Sequence, residues 1–322
     1  MANNNDRGHY KTHSVGKNAK GDPYAFQLEG YVSSAAPYFK AAADGKAAVL
    51  SASIGLPCTS ECLLALASGT YERGKEYGGT EFAELKLFGK RAEDFSSVLN
   101  KGRRVVVSGR LEKDKYTRKD DTTAEKLVIM VDHIIDAGSF KNNIAPTLGT
   151  DIAVSTLSYT SKDSVTRTVP MACTVSGTVI GCRGLSKGGN DTTYLAFGVK
   201  TNMSAEKICD LANGTYDKNK AYDEKKTIVN AVVFGANAER LSKVIADGAI
   251  VVLSGPVAAR PYNGNVTYQI RPRNDAVTVI KYADRNGAAA PEAGTAAAAA
   301  DPGPNPAGDF APIEEEDDDL PF

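Results

Sequence analysis

The 322-residue chain has no tryptophan, only three histidines and five cysteines, and no basic residue after Arg285. Each absence removes a class of chemistry. His9, His13 and His133 do not cluster with Cys58, Cys62, Cys173, Cys182 or Cys209, and Cys58 and Cys62 lack the two further ligands at finger-like spacing that a zinc site needs. An odd cysteine count without framework spacing reads as reduced, mostly buried thiols in a cytoplasmic protein. The opening segment is polar, and the longest apolar runs fall short of the roughly 20 residues a spanning helix needs, so neither leader nor membrane span is expected. With no phosphate loop and no nucleophile–base set, the chain does not read as an enzyme, and no cofactor or metal is expected.

Charge is divided unevenly. Nine acids and no base lie beyond Arg285, so a net charge of −1 splits into −9 for the tail and +8 for residues 1–285. A basic body suggests a polyanionic ligand, and an acidic tail a different, basic partner. The chain ends EEEDDDLPF. Six like charges stay solvated, and the apolar tripeptide behind them, with its terminal carboxylate, offers a partner a plug and an anion to grip together. Residues 286–313 are almost all Ala, Pro and Gly, which cannot form a core. As a flexible tether they would reach roughly 30 Å.

The body repeats itself. FGKRAEDFSSVLNKGRRVVVSG (88–109) aligns without gaps on FGANAERLSKVIADGAIVVLSG (234–255), with eleven identities in 22. Upstream, GTYERGKEY (69–77) matches GTYDKNKAY (214–222). Within each copy, TEFAELKLFG alternates as a half-buried strand does, with Ala83, Leu85 and Leu87 inward. A short amphipathic helix carries Ala92, Phe95, Val98 and Leu99, or Ala238, Leu241, Val244 and Ile245, and Gly102 or Gly248 is expected to end it. Two further strands follow, the first bent at Gly109 or Gly255. Two strands precede this block in each copy, and an extra short helix is expected near 60–67 and 204–212. The order implies an all-β protein: two tandem OB-fold five-stranded barrels, each with a short helix, and a disordered C-terminal tail. A generic small barrel or sandwich is the competing architecture. The expected division is an arm (1–22), a first barrel (23–139), a connector (140–167), a second barrel (168–285), a linker (286–313) and an acidic docking tip (314–322).

The motif F-G-x-x-A-E, a helix, then G-x-x-V-V-V-x-G, followed by the linker and the acidic tip ending in Pro-Phe, resembles the bacterial and bacteriophage single-stranded DNA-binding proteins, in their variety with two OB domains per chain. The resemblance implies a homodimer presenting four barrels, sequence-independent binding of single-stranded DNA during replication, recombination and repair, and recruitment of the proteins of those processes through Asp317, Asp318, Asp319, Leu320, Pro321 and Phe322. It also implies that bases stack on Phe82, Phe88, Tyr116 and Tyr71 in the first barrel and on Phe234, Tyr262 and Tyr216 in the second; Phe82 has Ile228 as its counterpart. Basic neighbours then stand as phosphate contacts: Lys86, Lys90, Arg104, Arg110, Lys113, Lys115 and Arg118, with Arg260, Arg271 and Arg273 in the second copy.

Lys86, Lys90, Arg104 and Arg110 become Val232, Ala236, Ile250 and Pro256 in the second copy. The expectation is that the first barrel grips the strand more tightly and that part of the second is apolar because it packs against something. Rival readings are an RNA-binding OB protein, a protein-interaction adaptor, and a nuclease using the acidic run as metal ligands. The last is disfavoured because those carboxylates lie on a tether rather than a rigid scaffold.

Overall fold

A computed structural model describes residues 13–18, 20–34, 36–138, 154–160, 166–188, 191–262, 264–272 and 276–283. The linker and the acidic tip lie outside the described residues. In the first unit, β1 (His13–Lys17), β2 (Pro23–Val32), β3 (Tyr38–Lys40), β4 (Val49–Gly55), β5 (Phe82–Phe88), β6 (Arg104–Thr117) and β7 (Thr123–Asp136) are joined by α1 (Ser60–Ser68) and α2 (Lys90–Phe95). β2 pairs with β4 and β6, β4 with β5, β6 with β7, and β7 runs parallel to β5. The sheet therefore closes into a five-stranded OB barrel with α2 between its third and fourth strands.

The second unit holds β8 (Val154–Thr160), β9 (Thr166–Ile180), β10 (Leu185–Lys187), β11 (Thr193–Lys200), α3 (Ala205–Asn213), β12 (Ile228–Phe234), α4 (Gly235–Leu241), β13 (Ile250–Gly255), β14 (Val257–Tyr262), β15 (Asn265–Ile270) and β16 (Val277–Lys281). It closes in the same order, with β12 parallel to β15. Each barrel carries two helices. Alternation does what the sequence promised: Ala83, Leu85 and Leu87 are buried while Phe82 and Phe88 face outward.

Gly109 and Gly255 mark the bends. A side chain at either would overlap backbone, the Met130 or Arg271 carbonyl respectively. β6 slips register between Ser108 and Gly109, and the equivalent strand breaks into β13 and β14. Three expectations need correction. His13–Lys17, placed in the arm, is a strand on β2, and part of the connector forms β8 on β9. α2 and α4 stop at Phe95 and Leu241, before Gly102 and Gly248, which instead make the left-handed turn into β6 and β13.

The barrels share a buried boundary. Val106, Ile135 and Ala137 pack with Val252 and Ile280, and half-buried Ile250 closes the cluster. At its centre the Phe26 carbonyl accepts hydrogen bonds from the hydroxyls of Ser108, Thr174 and Ser254. Gln27 Nε2 donates to Thr278 Oγ1 at 2.6 Å. Ile250 is therefore apolar because it faces the other barrel of its own chain.

Candidate nucleic-acid interface

Each GTY segment is built by a helix end. Gly69 and Gly214, both at φ 70°, terminate α1 and α3 in the left-handed conformation that glycine adopts without strain. Their amides return to Ala65 and Leu66, or to Asp210 and Leu211. The chain then leaves toward the outer face and presents a tyrosine. Tyr71 stacks on Tyr77 at 5.5 Å and 14°, and Tyr216 on Tyr222 at 6.0 Å and 10°. Lys75 and Lys220, the lysines kept by the repeat, lie 5.5 and 5.1 Å from the centroids of Tyr77 and Tyr222. The Tyr77 and Tyr222 hydroxyls accept from the Glu72 and Asp217 amides. Each unit thus holds a pre-stacked ring pair. Tyr77 and Tyr222 were missed as site residues, although their retention in both copies was the available signal.

Phe82, Phe88, Tyr116, Tyr71, Tyr216 and Phe234 are all exposed, between 40% and 53% of full accessibility, as a stacking surface requires. Tyr38 on β3, opposite Ser51, itself opposite Lys86, joins this surface, while Phe39, opposite the buried Leu50, is exposed from the other face of the strand. Nothing in the sequence pattern had singled them out. Tyr262 ends β14, opposite Asn265; its side chain lies outside the described residues, as does Arg273.

The basic candidates divide sharply. Lys86 pairs with Asp114 (3.1 Å), Lys90 with Asp94 (2.9 Å), Arg110 with Glu112 (2.5 Å) and Lys113 with Glu125 (3.5 Å). Lys126 reaches Glu84 as well. The Lys86 ammonium holds the Asp114 carboxyl below its ordinary range. Lys115 and Arg118 are exposed and pair with no described carboxylate. Arg104 is a correction: it has no exposed surface, lies 3.4 Å from Glu29 and donates to the Ile280 carbonyl at 2.7 Å, so it secures the barrel boundary and cannot touch a phosphate.

In the second barrel several cations have no described carboxylate partner. A groove of about 540 Å³ runs along the outer face of β11 and β12, lined by Arg183, Lys225 and Lys226; its lining includes no carboxylate, and Lys226 reaches Asp223 at 3.9 Å outside it. Arg260, opposite the lining residue Thr267, and Arg271 are half-buried without a carboxylate partner. Burial and the charge of Arg260 both press the Arg271 guanidinium below its ordinary pKa.

Among the described residues no three His, Cys, Asp or Glu side chains are placed to hold a metal, and no helix is long and apolar enough to cross a membrane. All five cysteines are free; burial pushes the Cys58 thiol up to about 12, and raises Cys173, Cys182 and Cys209 too. Thiols so raised stay protonated near neutrality and make poor nucleophiles.

The two closed OB barrels display exposed rings and cations on their outer faces. Residues 59–135, within the first unit, match the model of the Single-strand binding protein family. No curated protein matches the chain. Among solved structures, the wild-type single-stranded DNA binding protein from Thermus aquaticus is 13% identical, covering 82% of this chain and 94% of its own, with a TM-score of 0.23. A deletion mutant of the same protein is 13% identical over 83% and 95%, with a TM-score of 0.24. The small single-stranded DNA-binding protein from Streptomyces coelicolor is 20% identical over 35% and 92%, with a TM-score of 0.26.

Proposed function

We propose that the chain binds single-stranded DNA without sequence specificity along the outer faces of both barrels. The observation that carries the reading is the duplicated ring pair, Tyr71–Tyr77 and Tyr216–Tyr222, held flat at matching places in the two units with Tyr71 and Tyr216 exposed, in a chain whose residues 59–135 match the Single-strand binding protein family. Stacking suits any base because every base has a π-face, and neighbouring cations follow the backbone. The bound strand would be shielded during replication, recombination and repair. The tip at 314–322 would recruit basic-pocketed proteins of those processes from a long tether, and a homodimer would present four barrels, with no enzymatic step.

Anisotropy of a labelled oligo-dT, titrated with the full chain and with a truncation lacking 314–322, tests this against duplex and RNA competitors. Tight, salt-sensitive binding that prefers single-stranded DNA and survives truncation is expected. Equal competition by duplex sinks the single-strand reading, and stronger competition by RNA transfers it to the RNA-binding alternative. The dimer is read separately by sedimentation.

A further inference from the structure

We propose that Arg260, Arg271 and Gln269 form a phosphate seat on the outer face of the second barrel, and that this barrel, not the first, supplies most of the electrostatic grip on the strand. The inference rests on the single-stranded DNA reading above and assigns where that strand's charge is held.

Gln269 is 3% exposed, and neither its amide oxygen nor its amide nitrogen has a partner. The Nε atoms of Arg260 and Arg271 are likewise buried and unpartnered. Native proteins rarely leave so many buried polar groups unmet in one place. Pairing register sets them in one row: Gln269 lies opposite Ala258, with Arg260 two residues to one side, opposite Thr267, and Arg271 two residues to the other, its amide bonded to the Pro256 carbonyl. Two half-buried guanidinium groups without a carboxylate, one of them pressed below its ordinary pKa by burial and by the charge of the other, are a poor arrangement for the empty protein. A phosphodiester relieves it, since its oxygens accept from the arginine forks on either side of Gln269, whose buried amide forms the floor of the seat.

The first barrel shows the opposite design at the same places. Register puts Asp114 where Arg260 stands, Glu112 where Ala258 stands and Val128 where Gln269 stands. Its cations Lys86, Arg110 and Lys126 are matched by Asp114, Glu112 and Glu84. A phosphate there would have to displace a carboxylate at each step. Releasing a fixed intramolecular partner frees no bound counterion, so those contacts add little to salt dependence.

The test is the salt dependence of oligo-dT binding by the full chain. If the wild-type chain fails to bind, the function itself falls, before the seat is tested. Given binding, R260A/R271A is expected to lower affinity about tenfold or more and to flatten the log–log salt slope by roughly 1, near the ~0.7 per phosphate expected for single strands. K86A/R110A is expected to leave the slope unchanged. R260K/R271K keeps both charges and is expected to retain the slope while losing affinity, which a folding defect would not do. Should the double alanine variant unfold, R260Q alone carries the prediction at about half the size. An unchanged slope in the second-barrel variants, or an equal flattening in K86A/R110A, overturns the proposal.

Discussion

Arg104 of the first barrel donates to the carbonyl of Ile280 in the second at 2.7 Å, from a side chain with no exposed surface. It thereby joins the two barrels through backbone that cannot mutate away. The residue occupying its place in the second copy, Ile250, packs into the same boundary from the other side.

Arg104→Ala is therefore expected to destabilise the chain by about 3–5 kcal/mol, the usual cost of leaving one member of a buried ion pair, here Glu29, without its partner. A phosphate contact would behave otherwise, weakening DNA binding and flattening its salt slope with little loss of stability. Urea unfolding and a salt series on one variant separate the two roles.

The ring pairs make a second prediction. Tyr71→Ala and Tyr216→Ala should each weaken oligo-dT binding about tenfold, within the ~1–3 kcal/mol of one base stack, while thermal midpoints stay close to wild type because both rings are exposed. Tyr77→Leu and Tyr222→Leu should show a smaller loss, since these rings support the outer ones. Undiminished affinity in all four would remove the stacking surface from the mechanism.

The second ring pair should also respond to acid. Partial burial raises the Asp210 carboxyl, but hydrogen bonds from Lys220, Tyr222 and Thr215 outweigh it and hold its pKa below the ordinary value. Its contribution is thus fully present above about pH 4, the unfolded value, and is lost as pH falls through the lower folded value. Hydrogen exchange at 214–222 should accelerate in that acidic window. In the first unit Ala65 stands in the place of Asp210, so 69–77 should show no such step. Asp210→Asn should abolish the difference.

Much of this was legible in the residues. The gapless repeat located both barrels, and the alternation in TEFAELKLFG named the buried and outward faces of β5 correctly. Gly109 and Gly255 betrayed the bends because only a missing side chain lets backbone approach so closely. What the residues did not show was the partner of each charge. A lysine or arginine in a sequence carries no record of its partner, and Lys86, Arg110 and Lys113 meet carboxylates across strands 12 to 28 positions away or two residues on. Arg104 misled for a related reason: alternation placed it on a strand, but the face it points from is covered by the other barrel. Gln269 stayed invisible because a lone glutamine in a strand has no pattern until its neighbours are known.

The boundary between the barrels has one further consequence. Gln27 faces Thr278, Arg104 faces Ile280 and its carbonyl, and Phe26 takes hydroxyls from both halves, so the contact is made of unlike surfaces. Two copies of the first barrel brought together the same way would bury arginine beside arginine, and two copies of the second would have neither the glutamine nor the arginine. The duplicated halves have become a lock and its key, and neither can be replaced by a second copy of the other.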